Sequence, residues 1–103
     1  MKDFFQGDII KINGFENTLF LIVSKNTFIK NEKMFHVSPI VHTDSINPCH
    51  IDIKGIDGTD GTVICEEIKL IDPIARNCTR IDRINYGIKI IVSDVIQGFF
   101  EYD

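Results

Sequence analysis

The sequence predicts a mainly β protein of the α+β class, in which a twisted antiparallel sheet is closed by a carboxyl-terminal helix. Short segments rich in isoleucine and valine, separated by turn residues, occur throughout residues 7–83, and such segments are typical of strands. The apolar spacing then changes to the 3.6-residue period of a helix. At 103 residues the chain is predicted to form a single domain, 1–103.

The composition limits the possible partners. Lys and Arg number 11 and Asp and Glu 15, which gives a net charge of -4, so binding of nucleic acid would require a local basic patch. Apolar stretches are far shorter than the ~20 residues that span a bilayer. Residues 1–5 lack the apolar core of a signal peptide. We therefore expect a cytoplasmic protein without a membrane segment.

The amino-terminal half predicts three strands. Residues 7–13, GDIIKIN, predict the first strand, and residues 14–17 predict a tight turn that makes a hairpin with the second. Five consecutive apolar residues, 19–23, leave no face for water, so the second strand is predicted to be central and buried. Residues 34–41 predict the third strand, where Pro39 favours an edge or a bulge. The polar residues 25–33 predict a loop.

The remaining β segments are shorter and more polar. Alternation in residues 49–54 indicates a half-exposed strand. The further predictions are a glycine and aspartate turn over 55–61, a strand over 62–67, a short irregular or helical turn over 69–72, and a last short strand over 80–83.

The helix is predicted from the spacing of its apolar residues, with Asn85 as N-cap. The stripe consists of Ile88, Val92, Val95, Ile96 and Phe99. Ile90, Ile91 and Phe100 lie off this stripe and predict a second buried surface, such as a subunit contact.

Histidines and glutamates are the first candidates for acid–base chemistry. His36 and His50 lie in alternating strand patterns and are interpreted as solvent-facing structural residues. His42 follows a strand and lies beside Thr43, where it could act as a general base. Glu66 and Glu67 are predicted to point to opposite faces of one strand, so only one of them could face a substrate.

Cysteines and lysines suggest two further possibilities. The three cysteines, 49, 65 and 78, are interpreted as buried reduced thiols, and a metal site that includes His50 is the alternative. Residues 25–33 contain three lysines and Phe28, as a loop that follows a phosphate backbone could, although an ordinary solvated loop fits as well. No fingerprint of a cofactor site is present.

Five segments, taken in order, resemble the motifs of the MazF/PemK toxins of type II toxin–antitoxin systems. They are GDIIKIN, LFLIVSKN, VSPIV, PCHIDI and GTVICEEIKLID, and the resemblance covers nearly the whole chain. It implies a small SH3-like antiparallel barrel with a carboxyl-terminal α-helix, a homodimer and a cognate antitoxin protein. It also implies metal-independent, sequence-selective cleavage of single-stranded RNA, without a cofactor.

The sequence departs from the family pattern at the positions central to catalysis. Thr18 stands at the family's arginine position, and Val41 stands at its threonine position. We therefore hypothesise a divergent toxin in which polar residues near the expected site take over catalysis, with His42 or Glu66 as the base. The candidate catalytic residues are His42, Glu66 and Thr18, and the candidate RNA-binding residues are Lys25, Asn26 and Thr43. The alternatives are an inactive family member that binds another protein, and an adaptor barrel without a toxin role.

Overall fold

A computed structural model describes residues 3–101, which contain seven strands and two helices. In chain order the elements are β1 (Asp8–Ile12), β2 (Leu19–Ile22), α1 (Asn26–Glu32), β3 (Phe35–Val41), β4 (His50–Lys54), β5 (Asp60–Ile64), β6 (Lys69–Ile71), β7 (Cys78–Arg83) and α2 (Tyr86–Gly98).

All strands belong to one antiparallel sheet. Its order is β4-β5-β3-β2-β1-β7, and β6 pairs with β3 beyond the end of β5. The two edge strands meet only at their ends, through an isolated bridge between Gly55 and Ile84 and a 2.8 Å hydrogen bond from Ile56 N to Arg83 O. The predicted mainly β fold with a terminal helix is confirmed, and the sheet is strongly curved towards a barrel but is not closed by a continuous ladder.

The predicted central position of β2 is confirmed. Leu21 packs into one core cluster, whereas Phe20 and Ile22 pack into another on the opposite face. The expected edge or bulge position of Pro39 is wrong, because β3 pairs with three strands. Pro39 lies between the part of β3 that pairs with β6 and the part that pairs with β5, so a residue without an N–H lies at a gap between two ladders.

Apolar side chains cover both faces of the sheet. One cluster, which includes Ile9 and Val63, lies beneath α2, whose residue Val92 is part of it. The other contains Phe35, which is fully buried, and is covered by Phe4 and Ile29. A strand with five consecutive apolar residues is therefore needed at the centre.

Three local predictions are corrected. Residues 26–32 form a helix where the sequence predicts a loop. Only Phe28 and Ile29 of this helix are half-buried, so the sequence shows no helical spacing of apolar residues. Residues 69–71 form a strand that pairs with β3, and the helical turn starts only at Asp72. The strand predicted over 62–67 ends at Ile64, so Glu66 and Glu67 lie in a turn rather than on opposite faces of a strand.

Helix α2 has the predicted cap and apolar stripe. Asn85 precedes the helix, and its Oδ1 accepts the N–H of Ile88 at 2.9 Å. Val92 is buried, and the other residues of the stripe pack against the same cluster. Ile90, Ile91 and Phe100 are 41%, 47% and 76% exposed, so within a single chain they form an uncovered apolar surface.

Replacing Asn85 by alanine is expected to lower the free energy of unfolding by about 1 kcal/mol, because the N–H of Ile88 loses its acceptor. Urea denaturation measures the effect. Asn85→Asp retains an acceptor and should be close to the wild type. Equal stability of all three proteins would show that the cap does not contribute.

Candidate functional site

The register of the sheet brings together the two positions at which the sequence departs from the family pattern. Leu19 of β2 pairs with Ile40 of β3, so the preceding residue, Thr18, lies beside Val41. Val41 in turn pairs with Thr62 of β5, and Thr62 pairs with Asp52 of β4. Residues paired across antiparallel strands share a face. Thr18, Val41, Thr62 and Asp52 therefore form one row across four strands.

The buried end of this row is hydrogen-bonded. Thr62 is 5% exposed, and its Oγ1 donates to Asp52 Oδ1 at 2.8 Å. Asp52 itself is exposed. This bond satisfies the buried Thr62 hydroxyl and fixes the Asp52 carboxylate. Of the two threonine hydroxyls in the row, that of Thr18 is therefore the one left to contact a ligand.

A histidine–glutamate pair lies next to this row. His50 is two residues before Asp52 on β4 and therefore shares its face. His50 Nε2 lies 3.0 Å from Glu66 Oε2, and the side chains are 15% and 46% exposed. The Glu66 backbone N–H, followed by His50, lowers the pKa of the Glu66 carboxyl. Glu66 is therefore ionised at neutral pH, and His50 Nε2 carries the proton of their hydrogen bond.

The accessible base of this pair is Glu66 rather than His50. The other ring nitrogen of His50, Nδ1, is buried and has no hydrogen-bond partner among the described residues. A substrate could reach it only if the ring moved, whereas the Glu66 carboxylate faces solvent. Of the two side chains, the Glu66 carboxylate is thus the one that solvent can reach, and His50 contacts it from the less exposed side.

The turn after β5 creates the pair. Ile64 pairs with His50, and Glu67 N donates to Ile64 O at 3.1 Å, which closes a tight turn. In a regular strand, Glu66 would lie two residues beyond Ile64, the partner of His50. The turn instead leaves Glu66 within reach of the histidine, and this is why the interpretation of His50 as a solvent-facing structural residue missed its partner.

Phe15 lies beside Thr18, and a lysine lies beside the Phe15 ring. Phe15 lies in the turn between β1 and β2, where its carbonyl accepts the N–H of Thr18 at 3.2 Å. The Phe15 ring packs edge-on against Phe20, with centroids 5.8 Å apart. Lys69 Nζ lies 5.2 Å from the centroid of the Phe15 ring. Since Lys69 pairs with Val37, four residues before Val41, it projects from the same face as the row.

His42 and Thr43 lie in the exposed segment that follows β3. Thr43 Oγ1 accepts the N–H of Ser45 at 3.1 Å. His42 follows Val41, the partner of Thr62, whereas Glu66 comes four residues after Thr62. His42 therefore lies towards the start of β5, whereas Glu66 follows the end of β5. The structure therefore places Glu66, but not His42, with the histidine of β4.

Lys25 and Asn26 lie at the opposite end of β2 from Thr18, at the start of α1. Asn26 Oδ1 accepts the N–H of Gln6 at 2.8 Å, so this side chain fixes the amino-terminal segment. Asn26 also lines a groove of about 620 Å³ together with Lys30 and Lys33. Lys25 and Asn26, two of the residues predicted to bind RNA, thus lie at the other end of β2 from Thr18.

The described residues contain no group of three or more histidine, cysteine and acidic side chains that could hold a metal ion. Cys65 and Cys78 are buried, Cys49 is half-buried, and all three are free. Burial, followed by the charges of Glu66 and Cys49, raises the pKa of the Cys65 thiol to about 11. No helix within residues 3–101 is long and apolar enough to cross a membrane.

The fold is similar to solved structures of MazF from Deinococcus radiodurans. A MazE–MazF crystal structure (Form-II) superposes with a TM-score of 0.84 at 12% identity and covers 100% of both chains. A second MazE–MazF form (Form-I) gives 0.83 at 12% identity, covering 96% of this chain and 97% of the other. MazF alone (Form-I) gives 0.80 at 11% identity with the same coverage. No protein-family model matches the sequence, and no curated protein matches it significantly.

Proposed function

We propose that this chain, which has the MazF fold, is the toxin of a type II toxin–antitoxin system and cleaves single-stranded RNA in the cytoplasm without a metal ion. The observation that carries the proposal is the position of the ionised Glu66 carboxylate, which His50 holds on the same sheet face as Thr18 and Val41. These are the positions to which the family resemblance assigns catalysis. The similarity to MazF over the full length of both chains supports it.

In the proposed reaction Glu66 acts as the general base. It accepts the proton of a ribose 2′-hydroxyl, and the 2′-oxygen attacks the adjacent phosphorus. The bond from phosphorus to the 5′-oxygen then breaks, and this oxygen leaves with a proton from water. The products are a 2′,3′-cyclic phosphate and a 5′-hydroxyl.

Lys69 is proposed to stabilise the charge that develops on the phosphoryl oxygens, and Thr18, which lies towards the other end of β5 from Glu66, is proposed to contact a neighbouring phosphate of the RNA. Lys69 carries a positive charge beside the Phe15 ring, on the same sheet face as the row, although it lacks the fixed fork of an arginine. Neither of the two ion pairs within residues 3–101 involves Lys69, so its charge is available to a substrate. Donors directed at developing negative charge typically supply several kcal/mol of transition-state stabilisation.

Phe15 is proposed to stack on a base of the RNA. The ring is 38% exposed, it is fixed on its inner side by Phe20, and a lysine lies beside it. Aromatic rings with adjacent cations are common binding elements for single-stranded nucleic acid. The net charge of -4 makes such a local element necessary.

Replacing Phe15 by alanine is expected to weaken RNA binding by about 1–3 kcal/mol, a roughly 5- to 150-fold rise in Kd. Fluorescence anisotropy with a labelled RNA measures it, in a Glu66→Gln background that prevents cleavage. Phe15→Tyr should bind as the parent does. Tyr86→Ala removes an exposed ring at the start of α2 and serves as the control; an equal loss of binding in that variant would contradict the stacking role.

The proposed partners are a cognate antitoxin and a second copy of the chain. Two of the similar structures are MazE–MazF complexes, which supports an antitoxin partner here. The exposed Ile90, Ile91 and Phe100 of the α2 region are the surface proposed for the homodimer. Sedimentation velocity should give twice the chain mass, and a monomer at micromolar concentration would contradict the dimer.

A second candidate function is growth inhibition by binding another protein, without RNA cleavage. It is favoured by the replacement of the family's arginine and threonine by Thr18 and Val41. Induced expression in cells separates the two functions. RNA cleavage predicts growth arrest that is lost in Glu66→Gln. Arrest that persists in this variant supports protein binding, and unaffected growth with the wild-type chain supports an adaptor without a toxin role.

A further inference from the structure

Two of the three cysteines lie opposite each other on neighbouring strands. His50 of β4 pairs with Ile64 of β5 in antiparallel register, so the next pair outward is Cys49 and Cys65. A 3.1 Å hydrogen bond from Cys65 N to Cys49 O confirms this pairing. The two cysteines thus extend the β4–β5 ladder by one step.

The spacing of this pair is close to that required by a disulfide. Opposite residues of an antiparallel pair have Cα atoms about 4.5–5.5 Å apart, and disulfides are found at Cα separations of roughly 4.4–6.8 Å. Paired residues also project from the same face, so the two sulfur atoms lie on one side. Cys78 packs in the cluster on the other face of the sheet and has no such partner among the described cysteines.

The two thiols differ in access. Cys49 is half-buried and can meet a small oxidant, whereas Cys65 is 0% exposed. Burial also raises the pKa of Cys65 to about 11, which disfavours its thiolate. Cys49 is therefore the sulfur that reacts first, and Cys65 is the sulfur that completes the bond.

We propose that Cys49 and Cys65 form a reversible disulfide when the protein meets a peroxide. The Cys49 thiolate attacks one peroxide oxygen, the O–O bond breaks, and Cys49 becomes a sulfenic acid while water leaves. The Cys65 sulfur then attacks the Cys49 sulfur, loses its proton, and displaces hydroxide, which departs as water. Two thiols are oxidised, one peroxide is reduced to two waters, and a dithiol reverses the reaction.

The disulfide would regulate the site described above, an effect that depends on the proposed RNA cleavage. Cys49 precedes His50 and Cys65 precedes Glu66. Drawing the two cysteines together therefore changes the backbone on both sides of the 3.0 Å contact between His50 and Glu66. Because small misplacements of a catalytic group can reduce rates strongly, we expect oxidation to slow RNA cleavage by at least about 10-fold.

Mass spectrometry tests the bond directly. The full chain is treated with hydrogen peroxide, its remaining thiols are alkylated, and it is digested without reductant. The expected result is a protein lighter by two hydrogen atoms, with a peptide that links Cys49 to Cys65 and an alkylated Cys78. Cys78→Ser should behave as the wild type, whereas Cys49→Ser and Cys65→Ser should form no internal disulfide. Sulfinic acid at Cys49 without a linked peptide, or links only between two chains, would overturn the proposal.

Measuring RNA cleavage with and without peroxide tests the disulfide separately from the proposed nuclease function. Peroxide should slow RNA cleavage by the wild type, and a dithiol should restore it. Cys49→Ser, which lacks the sulfur that reacts first, should not be slowed. If the disulfide forms but the protein cleaves no RNA, the proposed disulfide stands and the proposed nuclease function is wrong. A disulfide that leaves cleavage unchanged would refute the regulation alone.

Discussion

Replacement of Glu66 by glutamine is expected to slow cleavage of single-stranded RNA by about 10²- to 10⁴-fold, the usual contribution of a general base. Glutamine retains the size of the side chain and can still meet His50, so the fold should be unaffected. The measurement is a single-turnover rate on a labelled oligonucleotide with protein in excess.

The matched control for this variant is Glu67→Gln. Glu67 is adjacent and exposed, and its replacement changes the net charge by the same amount. Its rate should be within about 2-fold of the wild type, since a solvated carboxylate makes no contribution to proton transfer. If the two variants were equally slow, charge rather than a base at Glu66 would explain the loss.

The role of His50 can be separated from that of Glu66 by the pH dependence of the same reaction. The Glu66 backbone N–H and His50 lower the pKa of Glu66, so the base stays ionised as the pH falls towards its folded pKa. His50→Ala removes one of these donors and should move the acid limb of the rate profile to higher pH. His50→Gln can still donate an N–H and should restore most of the wild-type profile. A uniform loss of rate at all pH values would indicate a structural role only.

Replacement of Asp82 by alanine is expected to have the largest effect on stability, a loss of about 3–5 kcal/mol. Asp82 is 4% exposed. Its Oδ1 accepts the N–H groups of Arg83 at 2.7 Å and Asp57 at 3.0 Å, and its Oδ2 accepts that of Thr59 at 3.1 Å. Alanine leaves these donors without the carboxylate, and each hydrogen bond to a charged group contributes roughly 1.5–3 kcal/mol. Urea denaturation measures the loss.

Asp82 also makes this stability dependent on pH. Burial opposes its ionisation, but the donors of Asp57, Thr59 and Arg83 outweigh it and lower the pKa from 3.8 to about 2. The contribution is therefore fully present above pH 3.8 and is lost as the pH falls through about 2. Asp82→Ala should lack this part of the acid dependence, whereas Asp94→Ala, on the exposed side of α2, should retain it. Equal acid profiles of wild type and Asp82→Ala would contradict the assignment.

The position of Asp82 explains why its loss should affect the fold beyond one turn. Its carboxylate holds residues 57 and 59 beside the bridge between Gly55 and Ile84, where the two edges of the sheet meet. Glycine is favoured at position 55 because a Cβ there would clash with the Asp82 carboxylate. Without Asp82 the sheet edges lose the turn that joins them.

The elements that the sequence predicts correctly are those with a complete local signal. The five apolar residues 19–23 are consistent only with a strand buried on both faces, and β2 occupies that position. The stripe of α2 and its Asn85 cap are equally local. Helix α1 was missed because its two half-buried residues are consecutive and show no helical period.

The candidate site was predictable only in part because it depends on contacts between distant segments. Glu66 and Thr18 could be selected from their place in family-like motifs. The contact of Glu66 with His50 spans 16 positions and depends on a turn that interrupts the predicted strand. The position of Lys69 beside Phe15 depends on β6, which was predicted as an irregular or helical turn. No local pattern encodes either contact.

The most direct test of the account is cleavage of single-stranded RNA by the purified protein in the presence of EDTA, followed by analysis of the product ends. We expect cleavage at a limited set of sequences, with 2′,3′-cyclic phosphate and 5′-hydroxyl ends, and no comparable cleavage by Glu66→Gln. RNA that remains intact across diverse sequences, or cleavage that is equal in Glu66→Gln, would contradict it.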